Sequence, residues 1–402
     1  MSARPRVYLT GAGVVSPLGT GLADNLEGIR TGRRSTATIE NFPTDTYPCR
    51  LGAEARDRDG VIRTAPGEDR KGIFLATAVR EMLEGHAGWN ATPPALRSLH
   101  LGTGIDHFDL EGLVDATGGG AASDWRDHLR RSHTIAHEVA TTWDIGGERT
   151  VNVAACVAST QAIGLAMRQV RRRPLKAAVT GGCDSMLSPL HYMGFHKLGA
   201  LSDWTGDPGR ACRPFDRERC GIVLGEGAST YLVQSEETAL PGTILAEIAG
   251  FASSMDAWLV TDPEPEGRRL AQAALAAIHD AGLAPEDIDC VHLHGTGTHK
   301  NDLAETAAMA LVFDDRFRQI PVFSLKGQVG HLVGACGALE ILGVIHSLRH
   351  QEIPVTVNSE VPDPAIQLFV QREAPLPRRI RHVLKLNAAF GGQNTALVLK
   401  AP

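Results

Sequence analysis

The chain has 402 residues, 43% hydrophobic and 21% charged, with a net charge of −6. These values are typical of a folded globular protein and argue against a general affinity for nucleic acid. No apolar run approaches the roughly 18 residues of a membrane span. The first apolar stretch is broken by Gly11 and Gly13, unlike a signal peptide. We therefore expect a cytoplasmic protein with no membrane or nucleic-acid partner.

Strand-like and helix-like segments alternate along the chain, which predicts an α/β layered fold with parallel strands. A weak repeat accompanies the alternation. Residues 71–104 and 268–297 both run from a helix through an Ala-Gly pair and a proline-containing turn into a strand that ends in Gly-Thr-Gly. We predict two similar halves, residues 1–240 and 241–402, with an insertion over the first core at about 107–140.

Cys156 follows a short β-branched run and precedes a stretch of small residues. This pattern predicts a buried strand joined to a helix, with the cysteine at the junction. The unpaired N–H groups and the dipole at a helix N-terminus favour a thiolate there. The alternative is a buried cysteine that acts only as a small apolar side chain.

Two histidines downstream lie among small residues. His294 ends a predicted strand and precedes Gly295-Thr-Gly-Thr298, where glycines admit a ligand and hydroxyls offer hydrogen bonds. His331 is bracketed by Lys326 and Glu340, which we expect to pair with each other or with a partner group. The alternatives are a structural histidine at a strand end and a buried ion pair.

Two similar halves would place Cys156 and His331 at equivalent positions that converge on one centre. A thiolate near two imidazoles fits a Cys-His hydrolase, with one histidine as the base. It also fits an acyl-transfer enzyme whose histidines act on a second substrate, and the glycine- and threonine-rich lining suits a long thioester arm better than a peptide. Phe390, in a glycine turn, is either a gate or a core aromatic.

No cofactor or metal site is indicated. The run Gly11-Ala-Gly-Val-Val-Ser16 partly matches a dinucleotide-binding fingerprint but lacks its third glycine. The seven scattered cysteines contain no CxxC pair, so neither a disulfide framework nor a zinc site is predicted, and no histidine or carboxylate cluster has metal-ligand spacing.

In their order and spacing these motifs resemble β-ketoacyl-acyl-carrier-protein synthases of the elongating type, the ketosynthases of type II fatty acid and polyketide assembly. The resemblance covers essentially the whole chain. The segments that carry it are Val7–Gly19, Ala155-Cys156, Arg213-Pro-Phe-Asp216, Gly225-Glu-Gly227, His294–Thr298 with Asp302 and Glu305, Gly330-His331, Gly334-Ala-Cys-Gly337 and Phe390-Gly-Gly392.

The resemblance implies the thiolase fold, with two stacked αβαβα-like halves. It also implies a decarboxylative Claisen condensation in which Cys156 carries the acyl chain. His294 and His331 would act on malonyl held by a second carrier protein, and the N–H groups of Cys156 and Phe390 would form an oxyanion hole. Lys326 is the family's lysine near the second histidine.

The resemblance assigns supporting roles to further residues. Glu340 is the partner of the family's lysine, and Asp302 and Glu305 belong to the His294 motif. Thr296 and Thr298 match positions that hold the phosphopantetheine arm, and Phe390 matches the gating phenylalanine. The substrates arrive on that arm, so no separate cofactor is implied.

The chain departs from the family near the acyl pocket. Arg219-Cys-Gly-Ile222 stands where Arg-Asp-Gly-Phe is common, and Ser159 stands where many elongating members have glycine. Ala388-Ala389 precede Phe390 in the gating turn. We take Ser159 as a substrate-binding position and expect a specialised type II polyketide or fatty acid pathway, with housekeeping fatty acid elongation as an alternative.

Partners also follow from the resemblance. Acidic acyl carrier proteins would dock on basic residues, for which the candidates are Arg70, Lys71, Arg126, Arg130, Arg131 and Lys197. Ketosynthases of this type resemble one another in forming dimers, with Ala177–Thr180 expected near the interface. The partner is either an identical chain or a chain-length-factor-like subunit.

Three related enzyme or subunit types are weighed against this prediction. A thiolase would need a second cysteine near the C-terminus, and none follows Cys336. An initiating ketosynthase would have asparagine in place of His331. A non-elongating chain-length subunit would lack Cys156.

Overall fold

The computed structural model describes residues 4–64, 68–118 and 124–402. Within these ranges the main sheet has fourteen strands, and we number ten of them in chain order. They are β1 (Val7–Ser16), β2 (Arg97–Thr103), β3 (Arg149–Val153), β4 (Ala177–Ser185), β5 (Leu224–Ser235), β6 (Ala246–Met255), β7 (Cys290–His292), β8 (Pro321–Phe323), β9 (His382–Ala388) and β10 (Gln393–Lys400).

Helices of nine or more residues within these ranges are likewise numbered. They are α1 (Leu22–Thr31), α2 (Arg70–Leu83), α3 (Leu110–Gly118), α4 (Ser132–Thr142), α5 (Ala158–Arg172), α6 (Pro189–Lys197), α7 (Arg268–Asp280), α8 (His299–Phe313) and α9 (Cys336–His350). Two shorter helices cover Ala87–Asn90 and Lys326–Val329. Short strands lie at Gly19–Thr20, Ala37–Thr38, Leu51–Ala53, Arg56–Asp57, Gly60–Val61, His107–Phe108, Leu129–Arg130, Glu352–Ile353, Phe369–Val370 and Leu376–Pro377.

The numbered strands run in the order β3-β2-β4-β5-β1-β6-β10-β9-β7-β8, so the second half repeats the first in mirrored order. The short strand Phe369–Val370 adds a parallel edge beyond β8. The halves join where β1 pairs antiparallel with β6, at Tyr8 opposite Glu247 and Leu9 opposite Ala246. The predicted parallel pairing holds for the three outer strands of each half. The strands nearer the junction are antiparallel, and the sheet is therefore mixed.

Helices α5 and α9 lie side by side between the two halves of the sheet. Ile163 and Met167 of α5 share one apolar core with Leu339 and Ile345 of α9 and with strand residues of both halves. Helix α2 packs on the outer face of the first half, and α7 and α8 pack on the outer face of the second. This sequence of layers is the predicted αβαβα arrangement.

Matching turns precede the two central helices. The 3₁₀ turns Ala155–Val157 and Val333–Ala335 lead into α5 and α9, each of 15 residues. Ala155 (φ 45°) and Val333 (φ 44°) both adopt the left-handed region, which is strained for residues with a side chain. The middle residues of the turns are Cys156 and Gly334. The predicted equivalence of Cys156 and His331 is therefore wrong by three residues.

Strand β3 was predicted to be buried, and this prediction is wrong. It lies at the end of the sheet and pairs only with β2 among the described residues, so its other edge is open and Val153 is 55% exposed. Ala177–Thr180, expected near a dimer interface, are buried on β4 between β2 and β5, so they do not themselves form an edge of the sheet. Their nearness to an interface stays a prediction.

The predicted insertion at 107–140 is only partly an excursion over the core. Residues 119–123 of it, including two glycines of its Gly118-Gly-Gly run, lie outside the described residues. His107–Phe108 pairs with Leu129–Arg130, whereas α4 packs Ile135 and Val139 into the core of the first half. No helix within the described ranges is long and apolar enough to cross a membrane.

Candidate active site

Cys156 lies where β3 turns into α5. Its side chain is buried, and burial raises the pKa of the thiol to about 12. Lys326 and the Phe390 N–H act in the opposite direction but do not overcome burial. Burial thus opposes the thiolate that the helix N-terminus is expected to favour, and favours the neutral thiol instead.

The structure brings Cys156, His294 and His331 together. The Sγ atom of the cysteine and one ring nitrogen of each histidine all lie within 4.8 Å of one another. The two imidazole rings are perpendicular, with centroids 5.3 Å apart. His294 follows β7, and His331 lies between the Lys326–Val329 helix and the turn before α9. Residues far apart in sequence thus form one buried cluster.

His331 is held through its Nδ1 atom. This nitrogen accepts a hydrogen bond from the Val333 N–H at 3.0 Å and lies 3.4 Å from the Cys336 Sγ. Burial, together with Lys326, lowers the pKa of His331 to about 3. The ring is consequently neutral, and its proton is on Nε2 because Nδ1 is an acceptor.

His294 has the same proton placement for a different reason. Its Nδ1 atom faces two donors, the Lys326 Nζ at 3.2 Å and the Asn387 Nδ2 at 3.1 Å. Lys326 also donates to the His294 carbonyl at 2.7 Å. Burial and then Lys326 hold the pKa of His294 well below its ordinary value. His294 is thus a second neutral imidazole with its proton on Nε2.

Glu340 binds the lysines that contact His294 and its neighbours. The predicted pairing with Lys326 is confirmed, since Lys326 Nζ donates to Glu340 Oε1. A second ammonium, Lys385 Nζ, donates to Glu340 Oε2 at 2.9 Å. Burial alone would raise the pKa of Glu340, but the two lysines hold it well below its ordinary value. The carboxylate is therefore ionised between two cations.

Asp302 and Glu305 support the backbone around His294. Glu305 accepts from the N–H groups of His294 at 2.6 Å and Gly295 at 2.8 Å. Asp302 accepts from the Phe215 N–H at 2.8 Å. Burial raises the pKa of both carboxyls, that of Glu305 to about 8 with a further contribution from Asp302. Gly295 has φ 50°, and a Cβ there would lie 2.6 Å from Ser324 Cβ, so this close turn requires glycine.

A cavity of about 480 Å³ opens from the Cys-His-His cluster. Thr296 and Thr298 line it, with their hydroxyl oxygens 2.9 Å apart. Phe390 also lines it and stacks on Phe195, with ring centroids 6.5 Å apart. The predicted arm-binding and gating residues thus share one cavity with the cluster, as do the family departures at Cys220 and Ile222.

Ser159 does not belong to this cavity, which corrects its predicted role in substrate binding. The residue is fully buried, and its hydroxyl accepts a hydrogen bond from the Ala338 N–H in the first turn of α9. The physical reason is a contact with a distant segment, since Ser159, the second residue of α5, packs against the start of α9.

Two buried residues near His294 were missed by the sequence analysis. Asn387 donates to His294, and its Oδ1 accepts from Thr160 Oγ1 at 2.7 Å and from Lys385 Nζ. Lys385 and Asn387 occupy alternate positions of β9 and so share one face of the strand. A lysine within the apolar run Val383-Leu-Lys-Leu386 was the available signal.

The cluster has ligand types that zinc accepts, but its surroundings do not suit a metal. Histidine ligands normally donate their second ring N–H to an acceptor. Here the Nδ1 atoms of His294 and His331 face donors instead, so a metal on Nε2 would leave each ring without a proton or set N–H against N–H. These residues do not fit a metal site.

The predicted carrier-docking residues divide into two groups. Arg70 and Lys71 are buried, Arg70 in an ion pair with Glu226 and Lys71 on the Ile105 carbonyl, so their prediction as docking residues is wrong. Arg126, Arg130, Arg131 and Lys197 are exposed. Arg70 and Lys71 were mispredicted because the start of α2 packs against segments distant in sequence, and these contacts cannot be inferred from the charges near α2.

A thiol beside two neutral imidazoles, on a duplicated αβαβα scaffold, is typical of condensing acyl-transfer enzymes. Residues 4–239 match the family "Beta-ketoacyl synthase, N-terminal domain", and residues 245–360 match "Beta-ketoacyl synthase, C-terminal domain". The chain therefore belongs to the β-ketoacyl synthase family, as a type II ketosynthase that acts as an acyltransferase.

Individual relatives agree. The chain is 33% identical to a 3-oxoacyl-[acyl-carrier-protein] synthase 2 of Coxiella burnetii, with 98% of both chains covered. It is 32% identical to the tetracenomycin polyketide synthase ketoacyl synthase alpha subunit of Streptomyces glaucescens, over 100% of this chain and 98% of the other. Among solved structures, the ishigamide ketosynthase/chain length factor superimposes with a TM-score of 0.89 at 28% identity, covering 100% of both chains. The predicted family and thiolase fold are confirmed.

Proposed function

We propose that this chain condenses an acyl group held on Cys156 with malonyl carried by an acyl carrier protein, losing CO2. The observation that carries the proposal is the pair of neutral Nε2–H donors beside a thiol in one cavity. Such donors can hold the oxygen of a thioester as negative charge develops on it, without giving up a proton.

Loading is a thioester exchange. Cys156 Sγ bonds to the acyl carbon, the bond to the incoming arm's sulfur breaks, and the thiol proton ends on the departing pantetheine sulfur. The N–H groups of Cys156 and Phe390 hold the tetrahedral oxyanion, and one such donor typically lowers the barrier by about 3–4 kcal/mol. The influence of the Phe390 N–H on the Cys156 thiol supports this assignment.

Condensation follows when malonyl enters. The bond to its carboxylate breaks, CO2 leaves, and the electron pair forms a thioester enolate whose oxygen accepts from His294 and His331. The enolate carbon then bonds to the acyl carbon on Cys156, and the sulfur leaves and regains a proton from solvent. Lys326, paired with Glu340, keeps His294 neutral and in position.

The phosphopantetheine arm would lie along Thr296 and Thr298, with Phe390 closing over the acyl group. The position of Phe390 supports such a gate, because its ring lines the cavity beside Phe195, on which it stacks. No separate cofactor enters the mechanism, since the arm arrives with the substrate and each bond change is balanced by residues or solvent.

We propose two partners, an acyl carrier protein and a second ketosynthase-type subunit. Exposed Arg126, Arg130, Arg131 and Lys197 are the docking candidates for an acidic carrier. The open edge of β3 is where a second subunit can add strands. The Coxiella relative's name includes the acyl carrier protein, and the ishigamide structure includes a chain length factor. Both a homodimer and such a heterodimer therefore remain candidates.

The pathway is either specialised type II polyketide or fatty acid synthesis or housekeeping elongation, since relatives of both kinds match. The departures at Cys220 and Ile222 lie on the cavity and favour a specialised substrate. The presence of Cys156 argues against a non-elongating chain-length subunit, which would lack this cysteine. A cytoplasmic location stays our prediction.

The test is acyl loading followed by mass spectrometry. We expect wild-type protein incubated with acyl carrier protein thioester to gain one acyl adduct, and Cys156→Ala to gain none. Cys183→Ala is the matched control, because Cys183 is also a buried free thiol, away from the cavity lining. An adduct on Cys156→Ala, or none on the wild type with any acyl length tried, would refute the proposal.

A further inference from the structure

Lys385 is a buried cation that the proposed reaction does not use directly. It lies on β9, is fully buried, and shares Glu340 with Lys326. Its neighbours Leu384 and Leu386 are core residues. A charged side chain is rarely kept at such a position unless its hydrogen bonds matter.

The hydrogen bonds of Lys385 fix the Asn387 amide. Lys385 Nζ and Thr160 Oγ1 both donate to Asn387 Oδ1. The amide nitrogen is thereby turned towards Glu340 Oε2, at 2.8 Å, and His294 Nδ1, at 3.1 Å. In the reversed orientation Nδ2 would face the Lys385 ammonium and Oδ1 would face the Glu340 carboxylate, so these two charged neighbours fix the amide.

The reversed amide would have a chemical consequence at the cavity. Asn387 Oδ1 would then face His294 Nδ1 and would need a proton there. The ring would shift to the tautomer with the proton on Nδ1, and the Nε2–H donor would disappear from the cavity. In the observed arrangement, the Lys326 ammonium and the Asn387 amide nitrogen both donate towards His294 Nδ1, and both therefore oppose this change of tautomer.

The charges of the two lysines also favour a neutral His294 ring. Lys326 and Lys385 place two ammonium groups around the one carboxylate of Glu340, and both lower the pKa of His294 after burial. Burial lowers the pKa of Lys385 itself, while Glu340 opposes that change. The charged or titratable groups facing His294 are Cys156, Glu305, Lys326, His331, Glu340 and Lys385.

We propose that Lys385 is a positioning residue for decarboxylation: through Asn387 it keeps the His294 proton on Nε2, facing the enolate oxygen. The inference rests on the proposed function, because it assigns His294 Nε2–H to that oxygen. It concerns one step of the reaction and leaves acyl loading on Cys156 to other groups.

The experiment compares Lys385→Met with wild-type enzyme in two assays. We expect CO2 release from malonyl carrier protein to fall about ten- to a hundredfold, below the loss of roughly 10⁴ that a wrong catalytic imidazole tautomer causes. Acyl loading of Cys156 should be retained. Lys400→Met, a lysine on the neighbouring strand β10, is the matched control and should keep both activities.

A tautomer measurement separates positioning from simple support of the fold. ¹⁵N NMR of the His294 ring should show protonated Nε2 and bare Nδ1 in the wild type, and a mixture in Lys385→Met. Adding Lys385→Met to Asn387→Leu should cause no further loss, because both act through the same amide. Lys385→Gln, which keeps an N–H donor, should fall between wild type and Lys385→Met and serves if the methionine variant does not fold.

The inference is overturned by a wild-type His294 protonated on Nδ1. It is equally overturned by unchanged CO2 release in Lys385→Met, or by equal losses of loading and decarboxylation. If wild-type enzyme loads acyl groups but releases no CO2, the proposed function fails instead, and the NMR comparison still decides whether Lys385 sets the tautomer.

Discussion

His294 and His331 present their rings at 87° to each other with centroids 5.3 Å apart, and both rings accept hydrogen bonds at Nδ1. The pair is therefore two hydrogen-bond donors rather than an acid and a base. Burial lowers the pKa of both histidines, that of His331 to about 3, so neither ring carries a positive charge at neutral pH.

Removing either donor should separate the two half-reactions. His294→Ala and His331→Ala are expected to accept the acyl group on Cys156 but to lose about 10²–10³-fold in malonyl decarboxylation, the usual effect of one oxyanion donor. Mass spectrometry of the adduct and release of labelled CO2 give the two readouts. Unchanged CO2 release in both variants would contradict the role given to the imidazoles.

In the absence of substrate, the Cys156 thiol should react with iodoacetamide as an unactivated cysteine. Burial raises its pKa to about 12, so the thiolate fraction, and with it the alkylation rate, should rise about tenfold per pH unit between about pH 7 and 9. Cys156→Ala gives the background from other cysteines. A plateau within this range would show instead that the turn before α5 produces a thiolate.

Glu340→Gln should destabilise the fold by about 3–5 kcal/mol, because Lys326 and Lys385 lose their shared buried counter-charge. The pKa of folded Glu340 lies well below the ordinary 4.5, so its contribution is complete above pH 4.5 and is lost as pH falls towards the folded pKa. Denaturant unfolding near neutral pH should show the full difference between wild type and variant, and unfolding in acid a smaller one.

The control for this substitution is Glu27→Gln, which removes an exposed ion pair with Arg30 and should leave stability essentially unchanged. A difference between wild type and Glu340→Gln that does not shrink in acid would show that lost packing, not charge, causes the destabilisation.

Charge reversal at Arg131 or Lys197 should raise KM for carrier-bound substrate several-fold and leave acylation by a small thioester unchanged, since both side chains are exposed. Arg30→Glu, an exposed arginine on α1, is the control for the change in net charge. An equal rise in the control would attribute the effect to overall charge rather than docking.

Motif order was sufficient to predict the fold and the convergence of Cys156, His294 and His331, because each lies in a run of small residues that marks a close turn. Lys385 and Asn387 were missed because they share one face of a strand whose other residues, apart from His382 at its start, are apolar. Ser159, Arg70 and Lys71 were misassigned because their contacts come from distant segments. Local sequence does not encode which buried face a polar side chain meets.

The matching turns before α5 and α9 have a consequence for how this scaffold can evolve. Duplication supplied two strained turns, but a Cβ on Gly334 would lie 2.3 Å from the Gly104 nitrogen. The position that mirrors Cys156 therefore cannot accept a reactive side chain of any kind. Packing against the Gly104 segment thus makes the two turns unequal, and a redesign seeking a second nucleophile would have to rebuild that segment first.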